Sequence, residues 1–100
     1  MPRAAVDAVV IPIGAELLSD CRAVARELRL AGIRTSTPLE SRKLSKELVR
    51  ADQAGAQVAV VIAPSEWERG LVAVRNLATR EQIEVPSSEV VAQVDKFLGR

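Results

Sequence analysis

The sequence is built around one short apolar stretch, Val58-Ala59-Val60-Val61-Ile62-Ala63, which ends at Pro64. Four of its six residues are β-branched and none is polar, which is typical of a buried strand. It is the clearest strand in the chain and comes third in order. The segments on either side of it decide how the sheet is connected.

A first strand and a first helix begin the chain. Val6 to Ile13 is a β-branched run ended by Gly14, which indicates a strand buried on both faces. From Ala15 onward the apolar residues recur at helical spacing, and Gly32 is a natural helix stop. This segment therefore predicts one strand followed by one amphipathic helix.

A second strand and helix lead into the stretch at 58–63. Ile33 to Thr37 is a short strand candidate. A helix is predicted after it, with Ser41 as a plausible N-cap and Gly55 as its stop. Two strand–helix units in a row imply parallel strands joined by right-handed crossovers.

The connections change after Pro64. Leu71 to Asn76 and Gln82 to Val85 are too close for a crossover helix, so at least one of these strands must run antiparallel. A last helix follows from Pro86, with Ser87 as its expected N-cap. The order β-α-β-α-β-β-β-α predicts an α/β fold: three layers, α/β/α, around a five-stranded mixed sheet. We expect one domain over 1–100, with its core at about 6–98 and no catalytic domain.

Composition excludes several kinds of chemistry. The 100 residues include no His and a single Cys, so a disulfide, a Cys/His zinc site and His-dependent catalysis are excluded. Cys21 lies on the apolar stripe of the first helix, where a small core residue is the usual role. The longest uncharged run, at 53–65, is too short to span a membrane. We expect no cofactor or metal in this domain, no membrane partner and a cytoplasmic location.

The carboxyl ends of the parallel strands, where α/β sheets bind ligands, offer no catalytic site. The first and third strands lack the acidic cluster of a phosphoreceiver, and Gly14-Ala15-Glu16 lacks the spacing of a dinucleotide site. Trp67 follows the third strand in a predicted loop. It could stack on an unpaired base or cover the end of the core, and flanking Glu66 and Glu68 favour the second role.

Positive charge is concentrated in one stretch although the net charge is only +1. Residues 34–50 carry five cations and two anions. Arg42, Lys46 and Arg50 are spaced i, i+4 and i+8, so on a helix they share one face that could meet phosphates. The pattern taken alone favours an ordinary solvated face, with Glu47 beside the lysines.

Read end to end, the chain resembles the C-terminal anticodon-binding domain of class II aminoacyl-tRNA synthetases, most closely that of histidyl-tRNA synthetase. The similarity runs from about 9 to 98. It rests on the order and spacing of five words: Val-Ile-Pro-Ile-Gly at 10–14, Leu-Arg-Leu-Ala-Gly-Ile-Arg at 28–34, Lys-Leu-Ser-Lys-Glu-Leu-Val-Arg-Ala-Asp at 43–52, Gly-Ala-Gln-Val-Ala-Val-Val-Ile at 55–62, and Leu-Val-Ala-Val-Arg-Asn-Leu-Ala-Thr-Arg-Glu-Gln at 71–82.

The resemblance implies RNA recognition. In relatives a Glu after the third strand and a basic residue ending the fourth contact anticodon bases, and these positions correspond to Glu66 and Arg75 here. The loop that opens the second helix also approaches RNA, which gives the basic helix face a function. The implied RNA-binding residues are Glu40, Ser41, Arg42, Lys43, Lys46, Arg50, Glu66, Arg75 and Asn76.

The resemblance also implies partners. The expected ligand is the anticodon stem-loop of histidine tRNA. The expected parent protein is several times longer, uses ATP and Mg in a separate ligase domain, and is a homodimer, whereas the isolated domain would be a monomer. The alternative is a stand-alone or regulatory relative that acts in protein interaction or dimerisation without tRNA specificity.

Three positions depart from the pattern of these relatives. Ala63 or Pro64 stands where they carry the Gly of Gly-x-x-Glu, Arg75-Asn76 replaces Lys-Asp, and Arg80 replaces the turn glycine before Glu-Gln.

Overall fold

The computed structural model describes residues 6–38 and 43–99. Five strands and four helices follow one another along the chain. They are β1 (Ala8–Pro12), α1 (Leu18–Leu30), β2 (Thr35–Ser36), α2 (Leu44–Gln53), β3 (Val58–Ile62), α3 (Pro64–Glu68), β4 (Leu71–Asn76), β5 (Gln82–Pro86) and α4 (Val90–Leu98). Single 3-10 turns at Ala15–Leu17 and Ser87–Glu89 lead into α1 and α4.

The strands form one mixed sheet in the order β2-β1-β3-β4-β5. β1 pairs in parallel with both β2 and β3, while β4 runs antiparallel to β3 and β5 antiparallel to β4. All five residues of β1 and all five of β3 are buried, because each of these strands has a neighbour on both sides and helices over its faces. The predicted α/β fold with a five-stranded mixed sheet is confirmed.

The larger part of the core lies between the sheet and the pair of helices α1 and α4. Leu28 of α1 and Val94 of α4 are fully buried there, against Val60 of β3 and Val74 of β4. Trp67, in α3, is partly buried and packs against the same cluster. This arrangement gives Trp67 the second of its two predicted roles, as a cover for the end of the core.

A smaller core lies on the opposite face of the sheet, beneath α2. Ala51 of α2 packs there with Val9 and Ile11 of β1 and Ala59 of β3. Leu44 and Leu48 are partly buried against this cluster, so the stripe predicted for this helix does face the sheet. Helices therefore cover both faces, and among the described helices only α2 contributes to this second cluster.

The helix stops predicted at two glycines are confirmed. Gly32 and Gly55 follow α1 and α2 with φ of +87° and +81°, a conformation that costs an L residue about 1–2 kcal/mol. Backbone hydrogen bonds from Ile33 to the Leu28 carbonyl and from Ala56 to the Ala51 carbonyl close these helix ends.

Three sequence predictions differ from the structure. The segment after β3 forms the short helix α3, with Pro64 in its first turn, where the sequence predicts a loop. Ser87 does not cap α4 but opens a 3-10 turn. Neither this turn nor α4 begins with a side-chain cap. β2 contains only two residues, since pairing with β1 ends at Ser36. The N-cap predicted at Ser41 lies outside the described residues, and α2 begins after Lys43.

Cys21 is fully buried on α1, within the main core. Burial raises the pKa of its thiol to about 12, with a smaller contribution from nearby Asp20. The thiol is therefore protonated at neutral pH and unreactive, as predicted for a core residue.

In the ranges 6–38 and 43–99, no helix combines the length and the apolar character needed to cross a bilayer.

Candidate nucleic-acid interface

The basic residues of α2 lie on its outer surface. Lys43 is the N-cap of the helix, and Lys46 and Arg50 follow at one-turn spacing, all three exposed. Val49 lies between Lys46 and Arg50 on the same surface and is 56% exposed. This α2 surface, formed by Ser45, Lys46, Val49 and Arg50, thus offers cations around an apolar centre.

Glu47 lies beneath α2 and not on the outer surface that carries Lys46. Its side chain is buried under α2, and its Oε1 lies 3.7 Å from Nη1 of Arg50 on the next turn. An ion pair between an exposed guanidinium and a buried carboxylate restrains Arg50 while leaving most of its side chain accessible. Lys46 is exposed to solvent.

Glu66 lies in α3, just beyond the carboxyl end of β3. The neighbouring Ser65 hydroxyl donates a hydrogen bond to its carboxylate. This bond holds the pKa of Glu66 below its ordinary value, with smaller contributions from its own backbone amide and from Arg69. The side chain is consequently an anion at neutral pH and an acceptor for the amino groups of bases.

Arg75 lies on β4, on the same face of the sheet as α2. The side chains of Val72 and Val74 enter the main core, so the alternating Arg75 must point to the opposite face. Its register partners are Ala59 on β3 and Gln82 on β5, and Nη1 of Arg75 lies 3.5 Å from Oε1 of Gln82. This long contact leaves the guanidinium available for a bidentate contact with a purine edge.

A shallow cleft of about 100 Å³ separates α2 from the β4–β5 hairpin. Arg75 and Arg80 line it on the hairpin side, and Val49 and Asp52 line it on the helix side. Val49 also belongs to the α2 surface, so this hairpin cleft and the α2 surface are continuous. Lys46, Arg50 and Arg75 are therefore brought to one region of the molecule.

Asn76 shapes the hairpin turn. Its Oδ1 accepts hydrogen bonds from the backbone amides of Ala78 (2.9 Å) and Thr79 (3.2 Å). The side-chain oxygen is thus engaged in an Asx turn, which is a structural role. Contact between Asn76 and RNA stays a prediction.

The proposed residues fall into two groups at opposite ends of the strands. Glu66 follows the carboxyl end of β3, and Lys43 opens the helix that follows β2, whose carboxyl end lies at the same edge of the sheet because β2 and β3 both run parallel to β1. Arg75 pairs with Ala59, near the amino end of β3, and no hydrogen bond or ion pair found in the described part of the chain joins it to Glu66. Glu40, Ser41 and Arg42 lie outside the described residues.

Sequence reasoning missed an open sheet face next to α2. Ala73 and Glu84 are paired across β4 and β5 on the same face as Arg75 and Gln82. Gln82 and Glu84 are exposed and Ala73 is partly exposed, so α2 leaves this half of the sheet accessible. The sequence of β5 could have indicated this open face, because its residues alternate between two sets, Gln82, Glu84 and Pro86 in one and Ile83 and Val85 in the other. Such alternation is typical of a strand with one solvated face.

Across residues 6–38 and 43–99, no group of three His, Cys, Asp or Glu side chains is placed to hold a metal ion. The chemistry of the described surface consists of guanidinium, ammonium, carboxylate and amide groups around small apolar patches. Such groups bind phosphates and the hydrogen-bonding edges of bases.

A mixed sheet with a basic helix beside an open sheet face defines a class of small α/β domains suited to contact nucleic acid. The family described as "Anticodon binding domain" matches residues 7–97, and the chain belongs to this family.

Its relatives include histidine–tRNA ligases from bacteria and archaea. The chain is 36% identical over 98 residues to the enzyme of Pyrococcus abyssi and 40% identical over 90 residues to that of Rhodococcus erythropolis. These matches cover 98% and 90% of this chain but only 22% and 21% of the relatives, so the chain spans about a fifth of their length.

A solved structure gives the same result. The crystal structure of histidyl-tRNA synthetase from Nostoc sp. PCC 7120 matches with a TM-score of 0.89 and 28% identity, over 94% of this chain and 23% of that one. The resemblance to the histidyl-tRNA synthetase domain is therefore confirmed.

Proposed function

We propose that this chain recognises the anticodon stem-loop of histidine tRNA for a histidine–tRNA ligase. The observation that carries the proposal is the continuity of the α2 surface with Arg75 on the open sheet face. Membership of the anticodon binding domain family and the names of the relatives support the choice of RNA.

The proposed contacts are of two kinds, those to phosphates and those to base edges. Lys46 and Arg50 attract and position the phosphate backbone, which supplies affinity without sequence information. Arg75 and Glu66 contact base edges, the first as a donor to a purine and the second as an acceptor from amino groups. Because these two residues lie at different ends of the sheet, they read different nucleotides.

The rest of the proposal concerns a longer protein. Its other domains would bind ATP and magnesium and transfer histidine, while this domain selects the tRNA. We propose a cytoplasmic homodimer for that protein and a monomer for this domain alone. The share of the ligases that the chain matches, about a fifth of their length, supports the longer protein.

The basic surface is tested by the salt dependence of RNA binding. We expect Lys46→Ala to weaken binding of the histidine anticodon stem-loop and to reduce the slope of log affinity against log salt by about one unit. Lys96→Ala is the matched control, since Lys96 is an exposed lysine on α4, on the other face of the sheet. Fluorescence anisotropy between about 0.05 and 0.3 M salt measures both slopes.

Two results would contradict this assignment. Equal slopes for the two lysine variants would place the RNA elsewhere on the domain. Affinity for the stem-loop no higher than for a generic polyanion, with protein partners still bound by Lys46→Ala, would favour the protein-interaction alternative.

A further inference from the structure

Arg80 stands out by its backbone. It has φ of +69° and is the one residue other than glycine with positive φ in the ranges 6–38 and 43–99. An arginine gains nothing from this left-handed conformation, which costs an L residue free energy that glycine does not pay. This chain therefore carries a cation, at the cost of strain, at a position whose backbone favours glycine.

The turn around Arg80 is held firmly. The amide of Arg80 donates to the Asn76 carbonyl at 2.8 Å, and the amide of Asn76 donates to the Glu81 carbonyl at 2.7 Å. The Asn76 side chain accepts from two further amides inside the turn. These bonds fix the direction in which the Arg80 side chain leaves the backbone, even though the residue is exposed.

The side chain of Arg80 lines the hairpin cleft together with Arg75. Leu48, Val49 and Leu77 form apolar walls, and among the described residues Asp52 is the one acidic residue that lines the cleft. Two guanidiniums and one carboxylate leave an excess of one positive charge. Asp52 forms no ion pair with either arginine in the described structure. The one hydrogen bond of either guanidinium among the described residues is the long 3.5 Å one from Nη1 of Arg75 to Oε1 of Gln82, so most of their donors can face a ligand.

We propose that Arg80 binds a backbone phosphate of the RNA strand whose base contacts Arg75. This inference deepens the proposed function and rests on it. A guanidinium matches a phosphate with two parallel N–H donors, and the apolar walls suit the ribose that follows. The continuity of the cleft with the α2 surface gives the strand a path from Lys46 and Arg50 to Arg80.

The test uses Arg80→Gly, which removes the cation and relieves the strain in one change. We expect its Tm to equal or exceed that of the wild type, because glycine adopts positive φ freely. We expect affinity for the histidine anticodon stem-loop to fall roughly 3- to 10-fold and the salt slope to fall by about one unit. Arg80→Lys keeps the charge but loses the two parallel donors, so it should retain the salt slope and lose part of the affinity.

The controls separate this inference from the proposed function. Arg26→Ala removes an exposed arginine from α1, on the other face of the sheet, and should change neither affinity nor slope. Inorganic phosphate at matched ionic strength should compete with the RNA more strongly when Arg80 is present than in Arg80→Gly. If inorganic phosphate binds in an Arg80-dependent way while RNA affinity and salt slope are unchanged by Arg80→Gly, the cleft is a site for free phosphate and not for an RNA strand.

The remaining outcomes separate the phosphate assignment at Arg80 from the proposed function. If the wild type discriminates anticodons and Arg80→Gly binds with unchanged affinity and slope, the phosphate assignment is wrong and the proposed function stands. If the wild type binds all stem-loops equally but Arg80→Gly lowers the slope, the phosphate assignment stands and anticodon reading is wrong. If the wild type binds no RNA, both are wrong.

Discussion

Replacing Leu28 with alanine is expected to lower the free energy of unfolding by about 2–5 kcal/mol. Leu28 is fully buried in the main core between α1 and the sheet, where its truncation leaves a cavity that rigid strands cannot fill. Domains of this size are stable by only about 5–15 kcal/mol, so the loss is a large share of the total. Urea unfolding followed by circular dichroism measures it.

The matched control is Leu30→Ala, on the same helix two residues further on. Leu30 is 78% exposed, so its truncation should change the free energy of unfolding by less than about 0.5 kcal/mol. The Tm from a thermal scan is a second measurement, and each kcal/mol of lost stability should lower it by about 4–8 °C. Similar losses for the two variants would mean that α1 does not present this face to the sheet.

The second large effect is expected at Arg75. Arg75→Ala should reduce the preference for the histidine anticodon over a substituted one by about 1–3 kcal/mol, which is roughly 5- to 150-fold. The residue lies outside the main core, so its loss should not unfold the domain. Competition binding of two stem-loops to the folded variant measures the preference directly.

Arg22→Ala is the control for charge, because Arg22 is an exposed arginine on α1, on the other face of the sheet. Glu66→Gln should also lose discrimination, at a different anticodon position from Arg75→Ala. The two losses should add in the double variant, since no bond in the described structure links the residues. If Arg75→Ala weakens binding equally for every anticodon, Arg75 is a phosphate contact and reads no base.

The fold could be predicted where the sequence carries a long periodic or uniformly apolar signal. β1 and β3 are apolar throughout because both faces are covered, and α1 repeats its apolar residues at helical spacing up to Gly32. The segment between β4 and β5 is too short for a crossover helix, so chain length alone requires these two strands to pair antiparallel.

Short elements could not be predicted in the same way. α3 has five residues, too few for one repeat of an amphipathic pattern, and its Pro64 is as typical of a loop as of a first helical turn. The predicted start of α4 is also wrong, since a serine before a helix resembles an N-cap even when a 3-10 turn intervenes.

The candidate site depends on both kinds of information. The spacing of Lys46 and Arg50 places them on one helix face, which requires only the helical repeat. The position of Arg75 beside Val49 and Arg80 depends on strand register and on how α2 lies over the sheet, and local sequence does not encode either. The burial of Glu47 likewise depends on packing between helix and sheet.

The central claim is that this domain reads an anticodon. Its most direct test compares the affinity of the domain for the histidine anticodon stem-loop with its affinity for the same stem-loop carrying a substituted anticodon, at about 0.15 M salt. We predict that the substituted loop binds at least about 10-fold more weakly, because one good base contact is lost. Equal affinities for the two loops would contradict it.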